Sequence, residues 1–426
     1  MAKVTVRLRY GVDYRSFKVE EKRLLGFIEP RRVKPAKPLD FMVREALGNP
    51  IGYARLRRAV KPGMRVAILS EDNTRICPVR RILPHVLAEL RDAGVKRDDI
   101  EIIMALGTHR PMTERELKDK LGEEVLEQYT VVNHMWRDPE ELVELGQVGR
   151  DAVLKVNRHV VEADFKIGIG NIIPHRVSGY SGGAKIVQPG VCGAETVGET
   201  HWRSSFIPME EILGVVENPV RHEMEEMAAR AGLNVVVNTV LNRDGEVVHV
   251  FYGDYVKAHR AGVEKADSIY KAEIPCKADI VVVDSYPADL DMWQAVKALF
   301  PAGLAVKRGG VIVFLTPCPE GVSGEHPEVE EFTYLPIPTV RKLVEEGVIK
   351  DLVAAAHIAM VREVLDKAKC IMVSDGLSSS RAYRLGFDYA DSLQEAVDRA
   401  LEEKPDGRIL VMSMGASLAP KICDSA

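Results

Sequence analysis

The sequence predicts an α/β protein built from two domains with mainly parallel sheets and a cleft between them. Three observations carry this expectation. From Met64 onward, short apolar runs alternate with longer amphipathic stretches, the pattern of repeated strand-helix units. At roughly 100–200 residues per domain, 426 residues suit two or three cores rather than one. The pattern also breaks and restarts near Ile274-Pro275, so residues 1–274 are read as an amino-terminal α/β domain and 275–426 as a carboxy-terminal one.

Taken in order, residues 1–10 alternate polar and apolar side chains, and Pro30, Pro35 and Pro38 follow; this stretch is expected to wrap over the first domain. Residues 65–70 read as a strand, 78–93 as a helix and 100–106 as a second strand. A helix opens near Thr113, because Thr113 and Glu116 are spaced as a capping box. Residues 131–132 and 165–169 are further strands. The runs 233–241 and 247–252 flank Asp244-Gly245, a turn dipeptide that predicts an antiparallel edge. In the second series, 279–283, 311–315, 370–373 and 409–413 read as strands, and 293–307 and 340–367 as helical.

Composition narrows the function classes. Net charge is −5, with 58 basic and 63 acidic residues and no block of like charge, which removes the footprint of a nucleic-acid binder. No apolar run approaches the ~20 residues of a membrane span, and the amino terminus lacks a signal-peptide core. The six cysteines form no C-x-x-C pair, which argues against a structural zinc site. A cytoplasmic protein acting on a small molecule is expected.

Ligands in open α/β sheets bind outside the carboxyl ends of the strands, so polar residues just after a strand carry weight. Three such loops occur: Glu71-Asp72-Asn73-Thr74-Arg75, Gly107-Thr108-His109-Arg110-Pro111, and Gly170-Asn171-Ile172-Ile173-Pro174-His175-Arg176, which runs into Ser178-Gly179-Tyr180-Ser181-Gly182-Gly183-Ala184-Lys185. Singly, each has a plain structural reading: Asp72-Asn73-Thr74 as a helix cap, His109 as a hydrogen-bonded loop histidine, Ser181–Gly183 as a turn. Together they crowd two histidines, an aspartate, arginines and a glycine-rich loop onto one sheet edge. That loop is not a P-loop, since Ala184 separates Gly183 from Lys185 and Ile186 replaces the hydroxyl residue. Nor does Gly168-Ile169-Gly170 become a dinucleotide fingerprint, because Ile173 takes the third glycine position. His201 is open to core packing or to metal ligation, imidazole suiting nickel, copper, zinc and iron. Gln294 and Lys297, three apart, share a helix face that is either solvated or turned to the interdomain cleft.

In order along the chain, these loops and the segment Trp293-Gln294-Ala295-Val296-Lys297-Ala298-Leu299 resemble the lactate racemase family, most specifically over Pro174–Lys185. The resemblance implies an isomerase, a racemase or epimerase of a 2-hydroxy acid, that uses a covalently attached nickel-pincer mononucleotide to take and return hydride. It implies that Lys185 carries this cofactor, that His201 completes the nickel coordination, and that Asp72, Asn73, Thr74 and Arg75 hold the nucleotide. His109 and His175 match the acid-base pair, and Gln294 and Lys297 the contacts to the substrate carboxylate. Trp293 stands where lactate enzymes of the family carry tyrosine, which opens the identity of the substrate. Partners implied are the 2-hydroxy acid and the proteins that build the cofactor, with neither nucleic acid nor membrane. Two other readings remain at this stage: a zinc-type hydrolase using His109, His175 and His201, which lacks H-E-x-x-H, and a non-catalytic protein that binds the cofactor or a phosphorylated metabolite.

Overall fold

The structure is a computed structural model that describes residues 2–149 and 152–423. It contains two six-stranded sheets. In the first, the spatial order is Val247–Asp254, Val235–Leu241, Phe165–Asn171, Val66–Glu71, Ile100–Ala105 and Thr130–Asn133. All neighbours run parallel except the first pair, the antiparallel edge predicted around Asp244-Gly245. The strands Val66–Glu71, Phe165–Asn171 and Val235–Leu241 are buried at every position, because helices cover both faces of a parallel sheet and leave no side to water. Chain order reverses at Val66–Glu71, which has Ile100–Ala105 on one side and Phe165–Asn171 on the other. This switch point splays the three polar loops apart at one sheet edge and opens a crevice among them.

The second sheet is parallel throughout, in the order Asp388–Tyr389, Ala368–Val373, Val306–Leu315, Ala278–Asp284, Ile409–Met412 and Leu24–Ile28. Its last strand corrects the expectation for the amino terminus. Residues 3–28 do not wrap over the first domain but complete the second, whereas 29–38 do lie on the first, with the Arg31 N–H donating to the Ile269 carbonyl and the Val33 carbonyl accepting from the Asn242 amide. The Lys3–Tyr10 and Asp13–Glu20 strands form a hairpin that buries Val6, Leu8, Phe17 and Val19 with Ile280, Val282, Val311 and Val313. The physical reason is the alternation itself: a two-stranded ribbon has one apolar face and must lay it on another layer. The chain therefore enters the second unit, builds the first, and returns. At that return Lys271–Ile274 pairs in parallel with Ala419–Ile422, near the carboxy terminus.

Leu142–Val148 and Ala152–Asn157 form an antiparallel pair that mixed polarity concealed. The helices expected from 340 to 367 are Ile337–Glu345 and Leu352–Leu365, separated at Gly347 with φ of 68°. Among the described residues no helix is long and apolar enough to cross a membrane.

Candidate active site

The three loops of the first sheet are bound to one another before they are bound to anything else. Glu71, at a strand end, accepts from the Asn171 backbone N–H at 2.8 Å and the Cys77 N–H at 3.1 Å, and pairs with the buried Lys120 at 3.4 Å. The glycine-rich loop is fixed by residues that sequence reasoning passed over. Arg221, fully buried, donates to the carbonyls of Ser178, Tyr180 and Gly182. His259 Nε2 donates to the Ser181 carbonyl at 2.9 Å, and Asn238 Oδ1 accepts from the Gly183 N–H at 2.9 Å. Glycine is required at 183: φ is +58°, and a Cβ there would lie 2.8 Å from the His259 ring.

These elements face a cleft whose lining includes Asp72, Arg75, His109, His175, Lys185 and His201 from the first domain and Trp293 and Lys297 from the second. Asn73 and Thr74 do not line it. Asn73 is exposed and donates to Glu116 at 2.7 Å, while the Thr74 hydroxyl donates to Asp72 Oδ1 at 2.6 Å.

His109 Nδ1 lies 2.5 Å from Asp72 Oδ2, and its Nε2 lies 3.0 Å from the Gln294 amide nitrogen. Burial pushes the Asp72 carboxyl up, but the His109 ring, Arg75 and Thr74 outweigh it and hold the group well below the ordinary carboxylate range. Burial dominates for His109 and lowers it. The pair is therefore carboxylate with neutral imidazole, Nδ1–H facing Asp72 and the Nε2 lone pair facing Gln294. Gln294 Oε1 in turn accepts from Lys297 and, at 3.5 Å, from Arg75. His175 is set oppositely. The Val177 N–H donates to its Nδ1 at 3.2 Å, so the neutral ring carries its proton on Nε2. Burial, with the charges of Lys185, Lys297 and Arg75, drives this ring well below the usual histidine value.

Lys185 ends the glycine-rich loop. Burial, then Arg75 and Arg221, bring its amine down to about 7, so near neutral pH a large fraction is an uncharged nucleophile. His201 sits on the Ala194–Ser204 helix and donates Nδ1–H to the Val197 carbonyl at 2.9 Å, leaving the Nε2 lone pair for a ligand. Burial, followed by the Lys185 charge, takes His201 down to about 3. Among the described residues no three His, Cys, Asp or Glu side chains gather as a metal site, which leaves a three-ligand zinc centre without its ligands.

The second domain closes over the cleft. Trp293 is stacked between His326, 4.1 Å away, and His357, 4.3 Å away. His326 also bonds Asp351 at 2.6 Å and, across the cleft, Thr108 at 3.1 Å, while Arg110 pairs with Glu320 at 3.1 Å. The sequence did not flag His326 or His357; each is a lone histidine far along the chain from the motifs.

Comparison with known proteins matches this arrangement. Residues 10–214 fit the model of the lactate racemase N-terminal domain and residues 273–419 that of the lactate racemase C-terminal domain. A lactate racemase of Thermoanaerobacterium thermosaccharolyticum is 29% identical over 97% of this chain and 98% of its own length. One from Lactiplantibacillus plantarum is 29% identical over 84% of this chain and 85% of its own. Among solved structures, the lactate racemase apoprotein from T. thermosaccharolyticum superposes with a TM-score of 0.87, covering 98% of this chain and all of the other. A Thermotoga maritima protein shares the fold at 20% identity, with a TM-score of 0.74 over 92% of this chain and all of its own. The chain belongs to the lactate racemase family and is an isomerase.

Proposed function

We propose that the protein interconverts the two enantiomers of a 2-hydroxy acid, lactate or a relative of it, by moving the C2 hydrogen as hydride while His109 and His175 handle the hydroxyl proton. The observation that carries this reading is one cleft lined by two neutral, oppositely set histidines together with Lys185, His201, Arg75 and Lys297. The residues fit a nickel-pincer nucleotide. Lys185 would hold it through its low-pKa amine, and His201 Nε2 would supply the protein's one ligand to the nickel. When bound, that group supplies an acceptor and donor for hydride, which general acid-base help worth ~10²–10⁴-fold cannot replace at so weakly acidic a carbon.

The chain's own residues do the rest. Lys297 and Arg75 hold the substrate carboxylate by charge-assisted hydrogen bonds, taking the positions they now occupy on Gln294 Oε1. The Gln294 amide, sitting on His109 Nε2, marks where the substrate hydroxyl docks. His109 takes that proton on Nε2, and Asp72 steadies the resulting imidazolium. After the 2-oxo acid turns in place, His175 serves the opposite face. A neutral ring cannot give up its only proton, so His175 returns a proton to the substrate oxygen only after taking up a second one on Nδ1, in place of its bond to the Val177 N–H, and the proton held by His109 is released in balance. Asn73 and Thr74 act on this account through the loop they brace. The chain passes between the two domains twice, after Ile28 and near Ile274-Pro275, and on this account they hinge about those two segments; the expected setting is the cytoplasm, where the proteins that build the nucleotide are the partners.

The test is co-expression with a complete nickel-pincer biosynthesis system followed by polarimetry on single enantiomers of 2-hydroxy acids. Decay of rotation to zero supports the reading. Nickel-loaded protein that leaves every acid optically unchanged contradicts it, and would favour a binding protein.

A further inference from the structure

A second aspartate–histidine pair stands beside Asp72–His109 and takes no part in proton transfer. His326, buried in the second domain, bonds Asp351 Oδ2 through Nδ1 at 2.6 Å and the Thr108 hydroxyl of the first domain through Nε2 at 3.1 Å. Asp351 is itself fixed. Its Oδ1 accepts from the Val353 and Ala354 N–H groups at the start of the Leu352–Leu365 helix, at 2.9 and 3.1 Å, and its own N–H donates to Glu328 at 3.0 Å. A carboxylate so placed only accepts, which keeps a proton on His326 Nδ1. In the neutral ring the lone pair is then on Nε2, and the Thr108 O–H donates to it. The ring also stacks on both domains, on Trp293 of the second at 4.1 Å and 14° and on Trp136 of the first at 5.6 Å and 28°. Two ion pairs from the same segment cross between the domains, Arg110–Glu320 at 3.1 Å and Arg137–Glu325 at 2.6 Å.

What His326 touches lies next to the reacting groups. Thr108 precedes His109 and Trp293 precedes Gln294, so His326 joins, one residue back on each side, the same loop and the same helix that meet in the 3.0 Å contact of His109 with Gln294. Thr108 and Trp293 line the main cleft and His326 does not, so its ring acts through them rather than on the substrate. The two ion pairs are half-exposed, are worth ~0–1 kcal/mol each and weaken with salt, and they fix no side-chain angle inside the cleft. A buried hydrogen bond with ring contacts on both domains is directional and shielded from water. We infer that His326 is a positioning residue of the reaction. Through Thr108 and Trp293 it holds the two domains shut at the site and sets His109 against the place of the substrate hydroxyl that Gln294 marks. The inference rests on the proposed function for the reaction that it serves.

Two variants cut the link from either side. Thr108→Val keeps the size of its side chain, and His326→Phe keeps a ring for the two tryptophans; each removes the hydrogen bond between the domains. In nickel-loaded protein each should lower kcat on lactate by about 10²-fold, the cost of a catalytic group misplaced by ~1 Å. The double variant should lose no more than the larger single loss, because both changes delete one link, whereas two independent packing defects would multiply. Acrylamide quenching of tryptophan fluorescence in the apoprotein, measured well below the melting transition of each variant, reads closure without turnover. Two of the three tryptophans stack on His326, so quenching should rise in both single variants and no further in the double variant. Wild-type kcat in either single variant overturns the inference, as do losses that multiply in the double variant or quenching unchanged in both. Raised quenching in both variants, beside a nickel-loaded wild type that racemises no acid, upholds closure by His326 and refutes the racemase reading. Racemisation by the wild type with kcat unchanged in both variants does the reverse.

Discussion

Asp72→Asn isolates the pair on which proton transfer depends. Asparagine matches aspartate in shape, and its oxygen can still accept from the Thr74 N–H and hydroxyl, which lie 3.1 Å and 2.6 Å from Asp72 Oδ1. The loop should therefore keep its form. The atom 2.5 Å from His109 Nδ1 becomes an amide nitrogen, a donor where an anion stood. The neutral ring must then carry its proton on Nε2 and has no lone pair for the substrate hydroxyl. The imidazolium formed in the reaction also loses its counter-ion. Unit charges about 4 Å apart at an effective dielectric constant of about 20 interact by about 4 kcal/mol, or roughly 10³ in rate. That sits inside the ~10²–10⁴ range of general acid-base help. The assay is initial loss of optical rotation from each enantiomer, with nickel content measured in parallel. Enantiomers are equal in free energy, so kcat/KM must fall by the same factor, about 10³, in both directions, with nickel retained. The Asp72 charge raises His109 against the effect of burial, so removing it lowers the ring further and moves the acid limb of the residual rate to lower pH. Full rate in either direction would refute the assignment, and loss of nickel would return Asp72 to the nucleotide.

Other expectations follow from the same cleft. With its amine at about 7, Lys185 in apoprotein should be acylated at neutral pH ahead of surface lysines, of which only about one part in 10³ is uncharged there; peptide mass spectrometry after limited reagent checks this. His201→Ala should lose nickel while His109→Ala keeps it and loses at least about 10² in rate, as metal analysis beside polarimetry will show. Lys297→Ala removes a charge-assisted contact and should raise KM for every anionic substrate tested. Trp293→Tyr gives up an indole clamped between His326 and His357 for a smaller ring with a hydroxyl, and rates across a panel of acids should shift towards lactate; unchanged ratios would make Trp293 a packing residue.

What could be read from the sequence, and what could not, divides along physical lines. Strands such as Val66–Glu71 and Val235–Leu241 announce themselves because burial on both faces writes an unbroken apolar run. The loops after them were legible because each carries several polar residues where only a ligand or a cap has use for them. The amino-terminal hairpin was misplaced since alternation states that a face is buried and not which layer covers it. Arg221 was missed because a basic residue on an amphipathic helix reads as a solvated one; only the fold reveals that it is buried among loop carbonyls. The clamp around Trp293 draws on positions 326 and 357, and no local spacing links them.

The central claim is that the C2 hydrogen moves as hydride inside a closed site while the histidines carry only the hydroxyl proton. One enantiomer of lactate deuterated at C2, incubated with nickel-loaded protein in ordinary water, tests it directly when the product of opposite hand is analysed by mass spectrometry. The account predicts that the inverted product keeps its deuterium, because the hydrogen leaves and returns without meeting solvent. Replacement of the label by solvent hydrogen at the rate of inversion would contradict it and make His109 and His175 bases towards carbon.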